Sequence, residues 1–150
     1  MLIPVTEMEK QLTDYSRTFF IPGNVPSSKN MFKFTRQGRK YPHPRVTQYK
    51  ELVKPDMIHY QKHFRNVIEQ LELTTPYFIA FQFVRESKHK FDYINPAQMI
   101  QDLMGEYEWI SDDNADILNP IFIPYLYDKE HPGVFITPIQ ANNIASLFSK

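Results

Sequence analysis

The stretch Tyr77–Val84, YFIAFQFV, contains a single polar residue, Gln82. Successive side chains of a β-strand point to opposite faces. A strand of this composition is therefore apolar on both faces, and both must be covered. Such a segment belongs in the middle of a sheet, and the rest of the chain has to supply neighbouring strands and covering helices.

The remaining sequence contains such elements. Val46, Tyr49, Val53, Met57, Tyr60, Phe64, Val67 and Leu71 recur every three or four residues, which defines one face of a helix. Pro55 lies inside this run. It removes an amide donor and crowds the preceding turn, which predicts a break or kink near Lys54 and a longer second piece over Asp56–Leu71. Asn95-Pro96 reads as a second helix start, with Asn95 as the cap and Pro96 in the first turn. Ala97, Ile100, Leu103, Met104 and Tyr107 then form an apolar face, while Asn95, Gln98, Asp102 and Glu106 share another. Arg17–Pro22, the proline-interrupted Ile117–Tyr127 and Gly133–Ile139 read as further strands, with residues 128–133 joining the last two as a hairpin. The first sixteen residues read as a flexible arm or short helix, and residues 140–149 as a C-terminal helix. This order predicts an α+β (mixed α/β) fold, a small mixed β-sheet flanked by helices.

At 150 residues and 42% hydrophobic composition the whole chain suits one domain. A domain of this size buries roughly 70% of its unfolded surface. Cysteine is absent, which excludes disulfides and cysteine zinc sites. The N-terminus lacks the basic start and apolar run of a secretory signal, and no stretch reaches the ~18–20 apolar residues of a membrane span. A cytoplasmic protein without membrane partners is expected. His59 and His63 are four apart on the first helix, but no E-x-x-H arrangement accompanies them, so zinc carries little weight.

The formal net charge is zero, yet the two signs are segregated. Between Ser27 and Lys50 there are seven basic side chains (Lys29, Lys33, Arg36, Arg39, Lys40, Arg45 and Lys50) and no acid. Lys and Arg in this density neutralise nucleic-acid phosphates, and the interleaved Phe32, Phe34 and Tyr41 offer faces on which bases stack. The alternative is an exposed loop with its aromatics packed underneath. Between Asp92 and Asp113 there are six acids and no base. Hard divalent cations such as Mg²⁺ take oxygen ligands, and carboxylates converging from separate segments would provide them. Asp92 precedes the second helix and the pair Asp112–Asp113 follows it, so the fold can bring them near each other. Against this stands the reading of the run as solvated surface, with Asp112, Asp113 and Asn114 forming a turn.

The spacing of Asp92, Asn95, Asp102, Asp112 and Asp113 resembles the RusA-type Holliday-junction resolvases, small phage and prophage endonucleases. Their motif runs D-x-D-N-x-x-K, then an Asp four residues on, then a D-D pair ten residues further. The loop IPGNVPSSKN resembles the family's Pro-Ser-(Lys/Asn)-Asn loop, and the similarity extends from about Thr18 to Tyr125. The resemblance implies an Mg²⁺-dependent endonuclease, with Mn²⁺ as an alternative metal, that acts as a homodimer on branched DNA in a bacterial or phage-infected cell. It implies metal ligation by Asp92 and Asp113 with Asp112 beside them, and catalytic positions at Asn95, Gln98 and Asp102. It implies DNA contacts by Lys29, Asn30, Lys33, Arg36, Arg39, Lys40, Lys88 and Lys90. Two positions depart from the motif: Ile94 stands at its second Asp and Gln98 at its lysine. Asp112, Asp116 or Asp102 is then the candidate replacement ligand, and Lys88, His89 or Lys90 the candidate replacement for the lysine. A branched-DNA-binding protein with a weakened site is the other expectation.

Overall fold

The computed structural model describes residues 5–27 and 32–141. The elements run α1 (Val5–Leu12), β1 (Phe19–Pro22), β2 (Phe32–Phe34), β3 (Lys40–Pro42), α2 (Pro44–Gln70), β4 (Tyr77–Arg85), α3 (Ile94–Glu106), β5 (Leu118–Phe122), β6 (Leu126–Tyr127) and β7 (Gly133–Ile139). The main sheet has the order β1-β7-β4-β5, and β6 also pairs with β4. β4 is antiparallel to β7 and parallel to both β5 and β6, so the sheet is mixed and the fold is α+β as expected.

β4 occupies the central position its sequence demands. Ile79, Phe81 and Phe83 enter the main core with α2 and α3, while Ala80 and Phe78 face a smaller cluster with Met8 and Leu12 of α1, Ile121 and Ile139. The first segment is thus a short helix packed on the sheet. Its buried Gln11 donates to the Gln140 carbonyl at 2.8 Å, which ties α1 to the end of β7.

Four expectations are corrected. First, α2 is continuous over 27 residues and runs through Pro55. Pro55 is exposed, while Val53 and Met57 on either side are fully buried. The carbonyl deprived of a partner therefore faces solvent, and the buried side chains hold both turns to one core. Second, the basic segment is not a loop: β2 and β3 pair as an antiparallel ribbon that is a sheet of its own. Third, β6 and β7 do not form a hairpin. Both add to β4, on opposite edges, because β7 reaches between β4 and β1. Fourth, α3 starts two residues early, with Tyr93 as its cap and no side-chain capping bond, so Asn95 lies inside the first turn. Pro96 and Ala97 are buried in that first turn.

The predicted helix at 140–149 falls largely outside the described residues. Among those described, no helix is long and apolar enough to cross a membrane.

The exit of α3 decides where the acidic turn lies. Glu108 takes a positive φ of 61°, and Trp109 then turns into the core. There its Nε1 donates to the Met57 carbonyl at 2.8 Å, and its ring packs against Phe64 at 4.9 Å between centroids. From α2, Gln61 and Arg65 donate to the Glu108 carbonyl at 3.2 and 3.0 Å.

Gly133 opens β7 where it passes β1. A Cβ there would meet the Phe20 ring and lie 2.6 Å from the Ile21 carbonyl oxygen. Gly133→Ala should destabilise the fold by about 1–3 kcal/mol through this overpacking. Urea unfolding followed by the single tryptophan checks it; an unchanged midpoint would refute the assignment.

Candidate functional site

The turn after α3 is built by its own side chains. Asp112 Oδ1 accepts the Asp113 amide at 2.7 Å, and its Oδ2 accepts Asn114 Nδ2 at 3.1 Å. The Asn114 side chain accepts the Asp116 amide at 2.9 Å, and its carbonyl receives the amides of Ile117 and Leu118 at 3.0 Å each. Asp112 is therefore the keystone of a turn. The Asp113 amide and the Asn114 side chain hold its carboxyl below the usual range.

Asp113 points toward α3. Gln98 sits one helical turn before Asp102 on the outer face of that helix, and its Nε2 donates to Asp102 Oδ1 at 2.7 Å and to Asp113 Oδ2 at 3.3 Å. Two like charges and one neutral amide thus share a small space. Partial burial, followed by the nearness of Asp112 and Asp102, raises the Asp113 carboxyl above its ordinary value.

Asp92 belongs to the chain just before α3, and its carbonyl accepts the Asn95 amide at 3.0 Å. It precedes Gln98 by six residues, about 9 Å along a helix axis. It lines an open cleft of 450 Å³ with Lys88, His89, Lys90, Phe91, Tyr93 and Tyr125. The structure therefore joins Gln98, Asp102 and Asp113, commits Asp112 to the turn, and places Asp92 toward the neighbouring cleft. Asp116, Glu106 and Glu108 are exposed, as is Ile94 at the motif's second acidic position.

Among the described residues no group of three or more His, Cys, Asp or Glu side chains is arranged to hold a metal ion. The Asp102–Asp113 pair still has the donor chemistry for Mg²⁺, which commonly takes one or two carboxylates and completes its shell with water and phosphate oxygens. A cation there would relieve the repulsion that raises Asp113. The pair suits a hard cation through its two acids, with the Gln98 amide as their present partner.

The cationic residues lie on the ribbon. All strand residues of β2 and β3 are exposed. Phe32 pairs with Pro42, Lys33 with Tyr41, and Phe34 with Lys40, so Phe32, Phe34 and Lys40 share one face and Lys33 and Tyr41 the other. Lys40 Nζ lies 3.8 Å from the centre of the Phe32 ring. The tip, Thr35–Arg39, is closed by a bond from the Gly38 amide to the Thr35 carbonyl, with Gly38 at φ 78° where glycine is unstrained. Arg36 and Arg39 are exposed at the tip of this two-stranded arm. Lys29 and Asn30 lie outside the described residues.

One feature escaped sequence reasoning. Phe91, Tyr93, Phe122 and Tyr125 form a connected aromatic cluster beside the Asp92 cleft. Its members come from two segments, and the only local signal was the aromatic density of FDY and IFIPYLY.

No family model matches the chain, and no curated protein matches it in sequence.

The ionised form of Asp113 is disfavoured by folding, so its contribution to stability falls as pH rises from the ordinary value of 3.8 through its higher folded value. Asp113→Asn should therefore unfold at a higher temperature than wild type near pH 7. The gap should close as pH is lowered through that window. Thermal denaturation at a series of pH values reads this, and a gap that is constant with pH would contradict the assigned cause.

Proposed function

We propose that the protein is a structure-selective DNA endonuclease that cuts Holliday junctions or other branched DNA by Mg²⁺-assisted phosphodiester hydrolysis, in the cytoplasm of a bacterial or phage-infected cell. The observation that carries this reading is the meeting of Asp102 and Asp113 at Gln98, with both acids at positions matching the RusA-type spacing.

Each part of the chain has a role in this reading. Lys33, Arg36, Arg39 and Lys40 neutralise backbone phosphates. A two-stranded ribbon has the width that the DNA major groove admits. Lys29 and Asn30, from the Pro-Ser-Ser-Lys-Asn segment, add to that contact, and Lys88 and Lys90 hold the strand near Asp92. Asp102 and Asp113 would hold Mg²⁺ or Mn²⁺. When bound, the cation supplies a water of lowered pKa and offsets charge on the leaving oxygen. Gln98 orients the two acids. Its amide presents either an N–H or an oxygen, so it can serve them in the empty and the loaded site. Neutral, it does not supply the charge of the motif's lysine. A homodimer matches the two-fold symmetry of a four-way junction.

A second reading is a branched-DNA-binding protein that does not cut. It is favoured by Ile94, which is 68% exposed where the motif has an acid, and by the Gln98 amide already bonded to both carboxylates.

Purified protein should nick four-way junctions in Mg²⁺ or Mn²⁺ and not in EDTA, and Asp113→Asn should reduce nicking to background. Cleavage that survives both Asp102→Asn and Asp113→Asn would reject this metal site. Binding without cleavage selects the second reading, and Ile94→Asp combined with Gln98→Lys should then raise activity. Replacing both Arg36 and Arg39 with Gln should lower the slope of log affinity against log salt by about 2 for duplex arms.

A further inference from the structure

The aromatic cluster beside Asp92 is a connected row of four rings. Phe122 and Tyr93 stack nearly parallel, with centroids 5.5 Å apart and planes at 8°. Tyr93 meets Phe91 edge-on at 5.3 Å, and Phe91 meets Tyr125 edge-on at 5.1 Å. The rings are held by polar contacts at their rims. The Tyr93 hydroxyl accepts the Tyr125 amide at 3.0 Å, which fixes the backbone that carries the outermost ring. The Arg85 guanidinium lies 4.6 Å from the centre of Phe91 and donates to the Val25 carbonyl at 2.6 Å, so one side of Phe91 is already occupied. Tyr125 ends the row and keeps 38% of its surface exposed.

The cleft in front of this row measures 450 Å³ and is rimmed by Lys88, His89 and Lys90, with Asp92 in its wall. Lys88 Nζ also lies 5.0 Å from the centre of the exposed Tyr127 ring. An aromatic wall with a cationic rim is complementary to a flat, π-faced group that carries an anion. A nucleotide has both parts, and base stacking on aromatic side chains is tolerant of sequence. Only an unpaired base offers its face, because bases within a duplex are stacked on their own neighbours.

We propose that this cleft takes one unpaired nucleotide of a DNA strand, its base stacked on Tyr125 and its phosphate between Lys88 and Lys90. The inference rests on the nucleic-acid reading above and deepens it: the cleft selects strands with unpaired bases, as in a flap or an opened branch point, while the ribbon holds the paired arms. Tyr93 and Arg85 are positioning residues, since they act through Tyr125 and Phe91.

Fluorescence anisotropy with a labelled oligothymidylate, and with a fully paired duplex of the same length, tests this on the intact protein. Tyr125→Ala should weaken oligothymidylate binding about tenfold, within the range found for loss of one base–aromatic stack. Duplex binding should hold, and Tyr125→Phe should bind the oligothymidylate like wild type. Lys88→Gln, a change at an exposed position that keeps the fold, should lower the single-strand salt slope by about 0.7. Wild-type affinity for oligothymidylate in both Tyr125→Ala and Lys88→Gln would overturn the inference. If four-way junctions were still bound in that case, the branched-DNA reading would stand without the cleft. A wild-type protein that binds no DNA at low salt would remove both.

Discussion

A strand that is apolar on both faces leaves little freedom to the chain around it. β4 must be roofed twice and paired along both edges, and each requirement places another element. Antiparallel β7 fills one edge and in turn carries β1. The other edge takes β5 and β6 in parallel. A parallel neighbour cannot be reached by a tight turn, so the chain has to cross over the sheet, and α3 is that crossover. The helix that carries Gln98 and Asp102 therefore exists because β4 needs a parallel partner. Burial of its opposite face, through Ala97, Ile100, Leu103 and Met104, turns those polar residues outward.

The same packing sets the electrostatics. Trp109, buried with its N–H satisfied by the Met57 carbonyl, fixes where the chain leaves α3. The turn that follows returns along the helix and brings Asp113 against Asp102. Folding thus forces two carboxylates together at an energetic cost, and part of that cost is met by a single glutamine amide. Acidic and basic regions meanwhile occupy different elements, the acids α3 and its turn, the bases a separate ribbon. The neutral total charge consequently says nothing about the local field at either place.

Much of this was legible in the residues. The periodicity of α2 named its buried face, because heptad-like spacing reports directly on burial. The two-sided composition of Tyr77–Val84 named the central strand for the same reason. What was illegible depended on partners far along the chain. Pro55 read as a break because a local rule cannot know that Val53 and Met57 are anchored in one core. The hairpin expected between β6 and β7 failed because adjacency in sequence competes with the open edges of β4. Of the candidate site, the acids could be picked out one by one. Which of them meet could not, since Asp112 and Asp113 differ only in the direction each side chain takes from the turn. The aromatic row at Tyr125 joins residues on either side of a helix, and no local window contains it.

The β2–β3 ribbon is a two-stranded sheet whose outer edges pair with no other strand among the described residues. Bare edges of this kind template strand addition by other chains. Here Lys33, Lys40 and the tip arginines repel a second copy of the same arm, so charge opposes edge-to-edge stacking of ribbons. That protection weakens as salt screens it. Neutralising the ribbon's lysines would accordingly open its edges to strand addition while leaving the core untouched.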